Sequence, residues 1–490
     1  MLRAVSRSTP SRAFVPSLVA IGLVVSVISS LGAPLIPTLA RDLHSTLSAT
    51  QWSLTATLLV GAVASPFLGR LGDGPHRRAV LIGSLAVVTA GGTLAALAGS
   101  LSVLVAGRAM QGLGLALMPL TMASARDHLP DAQAGRTIAT LSVVAAVGVG
   151  LGYPITGFIA QYADAAAAFW FGAAASAFAL VLAALFVPAP TTRDAPGHLD
   201  VRGAVLIGGG LIALLLALEK GTDWGWGSGR TLVLLVVAVV LLAAWTLNEL
   251  RVPAPLVELR LVRRPAVLTA NVTGLVLGMA MYLGISLITQ VTQLASGLDE
   301  TVFVAGLALL PLSAASTFSS RLLPAVQRRV GRRATIPMGA VTIAAGMVLY
   351  ALTGTALWQA FVTMGIVGLG LGFTFAAMPG LIVGSVPQEE TSSAMSFYQV
   401  SRYVGFSIGS GLAVTLLRSF AGDALPTPDD YGHVFLVGAA LCVVAAAVAW
   451  AVPGHALDGP ATADAGALDA DAAEYEIEEG ELAAAGLERD

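Results

Sequence analysis

The sequence predicts an all-α, polytopic membrane protein built from fourteen transmembrane helices. Three observations predict it: too little charge for a water-facing surface, a succession of apolar runs long enough to span a bilayer, and basic residues sorted between alternate loops. The 490 residues are 56% hydrophobic and 11% charged, and mean hydropathy is +0.82. A soluble chain carries about 25% charged residues, so this supply suffices only if most of the surface meets lipid. The 54 glycines agree, because small residues let membrane helices pack closely.

A span needs about 20 mostly apolar residues. Such runs lie at 14–38, 50–69, 79–99, 102–125, 136–160 and 167–188. Two shorter ones follow at 203–219 and 230–248, the first ending at Glu219-Lys220. Six more lie at 266–293, 301–320, 334–353, 357–386, 394–417 and 432–453. The first follows a basic start (Arg3, Arg7, Arg12). It is longer than the roughly 7–15 apolar residues of a signal-peptide core, so it reads as a retained helix.

The basic residues test this count. With the N-terminus in the cytoplasm, twenty of the 26 Lys and Arg residues fall on the inside, including Arg77, Arg78, Arg263, Arg264 and the cluster at 328–333. Four fall outside (Arg41, Lys220, Arg230, Arg418), and two, Arg108 and Arg402, lie within helices. Cytoplasmic loops collect basic residues, and a missed or invented span would mix the sets beyond the error. The even number puts both termini in the cytoplasm.

Beyond Pro453 the chain carries eleven acids against Arg489 alone. Alanine, glycine and clustered acid bury too little apolar area to fold, so this reads as a disordered tail. The expected division is a cytoplasmic N-terminus at 1–13, a six-helix bundle at 14–188 and a linker with two extra spans at 189–265. A second six-helix bundle at 266–453 and the acidic tail at 454–490 complete it. The single cysteine, Cys442, excludes an intrachain disulfide framework. One lysine among so many arginines and alanines suggests a bacterial source, and hence the cytoplasmic (inner) membrane.

The two blocks repeat. GRLGDGPHRRAV (69–80) follows the second span of one block and SRLLPAVQRRVGRRAT (320–335) the second span of the other, and both contain paired arginines. GVGLGYPITG (148–157) and SRYVGFSIGSG (401–411) lie in the fifth span of each. Parallel six-helix repeats of this kind form a substrate site at their interface near the bilayer midplane.

On these residues the chain resembles the major facilitator superfamily, in its fourteen-spanner drug:proton antiporter branch (the EmrB/QacA type). Gly69, Leu71, Asp73, Arg77 and Arg78 match its motif A. Arg108, Gln111, Gly112, Gly114 and Ala116 match motif B, and Gly148, Gly152, Pro154 and Gly157 match the antiporter motif C. TDWGWGS (222–228) and ELRVPAPLVELRL (249–261) flank helix 8 much as in that branch. The resemblance implies the major-facilitator fold of two six-helix bundles plus two inserted helices. It also implies alternating access, a proton gradient in place of any cofactor, and a motif A latch that stabilises the outward-facing state. The sequence departs from the pattern where Gly74 replaces a base and His76 a glycine. Tyr153 and Phe158 replace glycines, and Val25 stands where helix 1 of the branch carries an acid.

A charge inside the membrane is a functional hypothesis by default. Arg108 reads either as a cavity-facing cation that orients substrate or coupling, or as an interhelical or snorkelling arginine. Arg402 divides the same way. Every acid outside the tail falls in a loop or at a helix end. Asp127 and Asp73 are therefore the remaining candidates for a proton-binding carboxylate, although Asp127 also reads as an ordinary ion pair beside Arg126. In helix 9, Asn271, Gly278, Tyr282, Ser286, Thr289 and Gln293 share one face. They serve either a substrate cavity or helix–helix hydrogen bonding.

These features point to proton-coupled efflux of hydrophobic or amphipathic small molecules, with an importer or facilitator as the alternative. Without the helix 1 acid, neutral or anionic substrates fit better than multiply charged cations. A membrane-embedded enzyme needs convergent His, Cys or acidic residues. The six histidines are scattered, no metal-ligand spacing occurs and no phosphate-binding loop is present. The expected partners are the bilayer and a small-molecule substrate, with no nucleic acid and a monomer as the working unit.

Overall fold

The computed structural model describes residues 12–72, 76–189, 200–252, 255, 259–262, 264–294, 297–354, 356–383, 385–386, 391–422 and 426–451. The acidic tail expected at 454–490 lies outside the described residues. Fourteen long helices account for nearly all of the rest: α1 Phe14–Asp42, α2 Leu47–Gly72, α3 Arg77–Ala96, α4 Leu101–His128, α5 Asp131–Tyr162, α6 Ala165–Phe186 and α7 Val201–Trp224, followed by α8 Gly229–Glu249, α9 Pro265–Gln293, α10 Val302–Val330, α11 Arg332–Thr353, α12 Leu357–Val383, α13 Thr391–Ala421 and α14 Pro428–Trp450. Among the described residues there is no strand. Among the described residues, twelve of these helices are long and apolar enough to cross a membrane, and α7 carries a shorter apolar stretch at Val201–Ala217.

Polar caps explain where several helices begin. The Asp164 carboxylate accepts from the Ala167 amide at 2.6 Å to start α6, and Asp200 accepts from Gly203 at 2.8 Å to start α7. Thr427 and Asp430 form a reciprocal capping box at α14. Large exposed aromatics, Tyr162, Trp170, Trp224, Trp358 and Trp450, lie at or near helix ends, where amphipathic rings suit a membrane interface.

The helices outrun their apolar cores. The segment 320–335, read as a loop, is helical through Val330, and the chain turns at Gly331, which adopts a φ of 81°. Helix α7 continues past Glu219-Lys220 to Trp224 and ends at Gly225, with φ 87°. Glu219 is therefore inside a helix rather than in a loop. Hydropathy marks where lipid stops, whereas a helix stops at a cap or a left-handed residue. Two breaks were not foreseen: 3₁₀ turns at Ala33–Leu35 in α1 and Gly112–Ala116 in α4.

The two blocks pack alike. In the first, α1 lies on α5 and α6, α3 on α4 and α6, and α2 on α4. In the second, α9 lies on α13 and α14, α11 on α12 and α14, and α10 on α12. Close crossings recur at equivalent helices. A Cβ on Gly148 or Gly152 would meet Ser26 or Ser30 of α1, and one on Gly405 or Gly409 would meet the carbonyls of Leu275 or Met279 in α9. The bundles join mainly through α5 against α10 and α13 against α2. The inserted α7–α8 hairpin leans through α7 on the α2–α13 seam, and α8 turns exposed Leu232, Val233, Val236, Val239 and Val240 outward.

Candidate functional site

Arg108 is fully buried in α4, just before its 3₁₀ turn. Its Nη1 donates to Gln111 Oε1 at 2.7 Å, and its guanidinium lies 5.9 Å from the Phe169 ring of α6. The opposite edge faces the break in α1: a Cβ on Gly32 would come within 2.6 Å of Nη2. Nε and Nη2 have no hydrogen-bond acceptor among the described residues, and neither has the amide nitrogen of Gln111.

Arg402 occupies the middle of α13, so it does not snorkel to a membrane face. Its guanidinium sits among four rings, Phe375 at 5.2 Å, Phe406 at 5.6 Å, and Tyr398 and Tyr403 at 5.7 Å. Tyr282 of α9 stacks on Phe406 with centroids 4.6 Å apart. Tyr403, one of the rings beside Arg402, donates to the Leu115 carbonyl at 3.3 Å in the 3₁₀ turn that follows Arg108. The two intramembrane cations, one from each bundle, thus flank one crossing of α13 and α4.

The α9 stripe divides along its length. Asn271 accepts from Ser401 Oγ at 2.8 Å and donates to its own helix, so it ties α9 to α13. Ser286 accepts from Gln290 at 3.0 Å within α9. Gln293 donates to the Pro34 carbonyl of α1 at 2.8 Å across the bundle boundary. Apart from the Tyr403 bond to Leu115 in the middle of α4, further side-chain bonds between bundles fall on the same half of the molecule, the one bearing the α1–α2 loop. There Gln51 donates to Ser410 Oγ at 2.7 Å, and Ser407 donates to the Thr55 carbonyl at 3.4 Å. Along α5, a Cβ on Gly157 would lie 2.6 Å from the Val302 carbonyl of α10, and Gly306 of α10 presses equally on Tyr153 and Pro154. This half is closed by small residues and amides. Replacing Gln51 with alanine is expected to raise hydrogen–deuterium exchange at the adjoining ends of α2 and α13 by several-fold, because a buried bond of about 1 kcal/mol is lost; unchanged exchange would refute the seal.

On the opposite half, Arg77 at the start of α3 forms an ion pair with Asp127 at the end of α4 and donates to the Ala123 carbonyl at 3.3 Å. The partner of Asp127 is therefore Arg77 and not its neighbour Arg126. Arg78 donates to the Ala184 carbonyl at the end of α6 at 2.7 Å, a cation at a helix C-terminus. Asp73 lies outside the described residues, as does the side-chain position of Gly69. The sequence reading missed the aromatic set around Arg402. Tyr398, Arg402 and Phe406 at intervals of four would have revealed one face of α13; Phe375 carries no such signal. It also missed a buried pair of carboxylates at the base of the insertion. There Asp200 accepts from Asn248, and Glu249 accepts from Trp245 Nε1 at 2.9 Å.

Two equivalent six-helix bundles, joined by an exchange of helix contacts around a buried cationic centre, define a membrane transporter. The sequence model of the Major Facilitator Superfamily matches residues 18–410 and 326–474, and the chain belongs to that family. It is 29% identical over 417 residues to the tetracenomycin C resistance and export protein of Streptomyces glaucescens, covering 83% of this chain and 76% of that one. It is 25% identical to a probable actinorhodin transporter of Streptomyces coelicolor, over 81% and 70% of the two chains. It is 26% identical to the puromycin resistance protein pur8 of Streptomyces alboniger, over 85% and 86%. In fold it resembles a mutant of the peptide transporter POT (TM-score 0.67, 15% identity, 92% of this chain and 95% of that one). It also resembles a mutant of the nucleoside transporter NupG (TM-score 0.60, 14% identity, 89% and 99%).

Proposed function

We propose that the protein exports small amphipathic organic molecules from a bacterial cytoplasm by alternating access, driven by the proton gradient. The observation that carries this reading is the pair of equivalent bundles meeting at the buried Arg108–Tyr282–Arg402 centre. Its similarity to antibiotic resistance and export proteins supports the outward direction. The surplus of basic residues on one set of loops supports termini in the cytoplasm, which makes the half sealed by Gln51, Ser410 and Gln293 the outer one. The state described is then closed to the outside.

Motif A acts as the conformational latch, with Gly69 in the last turn of α2, Asp73 following that helix in sequence, and Arg77 and Arg78 against the ends of α4 and α6. Gly148, Gly152, Pro154 and Gly157 let α5 slide or pivot between α1 and α10. Arg108, Gln111 and Arg402 line the transport path, and Asp127, tied to Arg77, couples protonation to the latch. Tyr282 faces the substrate, Ser286 and Gln293 adjoin it toward the outer seal, and Asn271 serves mainly to hold α13. The chain works as a monomer.

The test is reconstitution of the full chain in liposomes with an imposed pH gradient and amphipathic dyes as probes. Dye movement should accelerate with the gradient and be accompanied by counter-movement of protons. Transport at the same rate with and without the gradient would reject proton coupling, and uptake in the opposite sense would make the protein an importer.

A further inference from the structure

We propose that the centre between the bundles binds an aromatic organic anion, with Arg108 and Arg402 meeting its charge and the rings of Tyr282 and Phe406 meeting its plane. The inference rests on the transporter reading above and adds the chemical class of its substrate.

Arg108 is the largest fully buried side chain among the described residues. Only one of its guanidinium nitrogens is satisfied, by the neutral Gln111 acceptor. It has no ion-pair partner among the described residues, and no Asp or Glu is among the groups acting on it electrostatically. A buried, uncompensated charge is strongly unfavourable. It is tolerated where a bound group completes it, as at sites that trade stability for function. The vacant positions are all donors: Nε and Nη2 of Arg108 and, beside them, the amide nitrogen of Gln111. A cationic ligand would find no acceptor there. A carboxylate, phenolate or sulfonate would accept from the guanidinium fork in the geometry that arginine favours.

Arg402 brings a second cation from the other bundle. It is half-buried and in hydrogen-bonding contact with Tyr398, but its buried Nε lacks an acceptor, and it has no carboxylate partner among the described residues. Its surroundings are rings, with Phe406 at 5.6 Å. Tyr282 is stacked on that ring, and Tyr403, also beside Arg402, reaches across to the Leu115 carbonyl in the turn that follows Arg108. Two cations, each set against aromatic rings, suit a flat, ionised aromatic molecule better than an aliphatic acid, because the rings add stacking to charge pairing.

The test is equilibrium binding to the purified full-length chain in nanodiscs of phosphatidylcholine, with no pH gradient. The probes are fluorescein, an anionic xanthene, and rhodamine 123, a cationic one of related shape. Fluorescein is expected to bind saturably and about ten-fold or more tighter than rhodamine 123. Arg108→Gln and Arg402→Gln should each weaken fluorescein binding about ten-fold and narrow the difference. Ligand-free Arg108→Gln should unfold at or above the wild-type temperature, since a charge without a partner has been removed; this separates lost binding from lost fold. Equal or tighter binding of rhodamine 123 would overturn the proposal, as would absence of saturable fluorescein binding. Unchanged fluorescein affinity in both variants, or a fall in unfolding temperature in both, would overturn it too, the latter by making the arginines structural supports. Fluorescein binding without gradient-driven dye export would keep this inference and reject coupled export; export with a preference for rhodamine 123 would do the reverse.

Discussion

Replacing Gly409 with valine is expected to prevent the second bundle from assembling. A Cβ at Gly409 meets the carbonyl oxygen of Met279, and α9 around that point is almost entirely buried. The obstacle is helix backbone, so no change of rotamer relieves it. Overpacking costs about 1–3 kcal/mol where side chains can shift, and against fixed backbone the cost is higher. Set against a total stability of about 5–15 kcal/mol, this should reduce folded protein to about a tenth of wild type or less, measured as monodisperse protein after extraction. Gly380→Ala, where an added Cβ meets nothing within 4 Å, is the control and should be neutral. Wild-type recovery of the Gly409→Val protein would show that α9 and α13 do not cross this closely.

Neutralising Asp127 should slow transport without unfolding the chain. Its ion pair with Arg77 has side chains only 19% and 9% exposed, so water does little to replace the lost partner. Removing one member of a buried pair costs about 3–5 kcal/mol, and partial exposure reduces that to about 1.5–3 kcal/mol, a factor of about ten to a hundred in any equilibrium the pair biases. Asp127→Asn is therefore expected to lower the dye transport rate about ten-fold or more. The Ala123 carbonyl remains to hold Arg77, so the chain should still fold, with a lowered thermal midpoint. Exchanging the charges, Arg77→Asp with Asp127→Arg, should recover part of the rate. A wild-type rate in Asp127→Asn would remove this pair from the latch.

The bundles and the inserted pair were legible because span length, charge and repeat are properties of one segment at a time. Helix ends were less so: 320–330 carries Pro324 and four arginine and glutamine residues, yet stays helical until Gly331. The breaks in α1 and α4 had a local signal, Pro34 and Pro37 in the first and the glycines of GLGLA in the second, because proline removes a helix N–H and glycine weakens the helix. They are found where the two helices approach each other around Arg108.

The site was legible in its residues and not in its partners. Arg108 and Arg402 stood out because charge is rare in lipid. That they flank one crossing depends on how α4 and α13 approach. The α9 stripe looked uniform by its spacing, yet Asn271 bonds Ser401 of the same bundle and Gln293 bonds Pro34 of the other. Asp127 likewise pairs with Arg77, fifty positions away, and not with the adjacent Arg126. The helices, their repeat and the rarity of charge within them follow from the residues of each segment, because transfer to lipid acts on each segment independently. Which polar groups meet does not, because those meetings depend on helix crossings, set by small residues far apart in the chain.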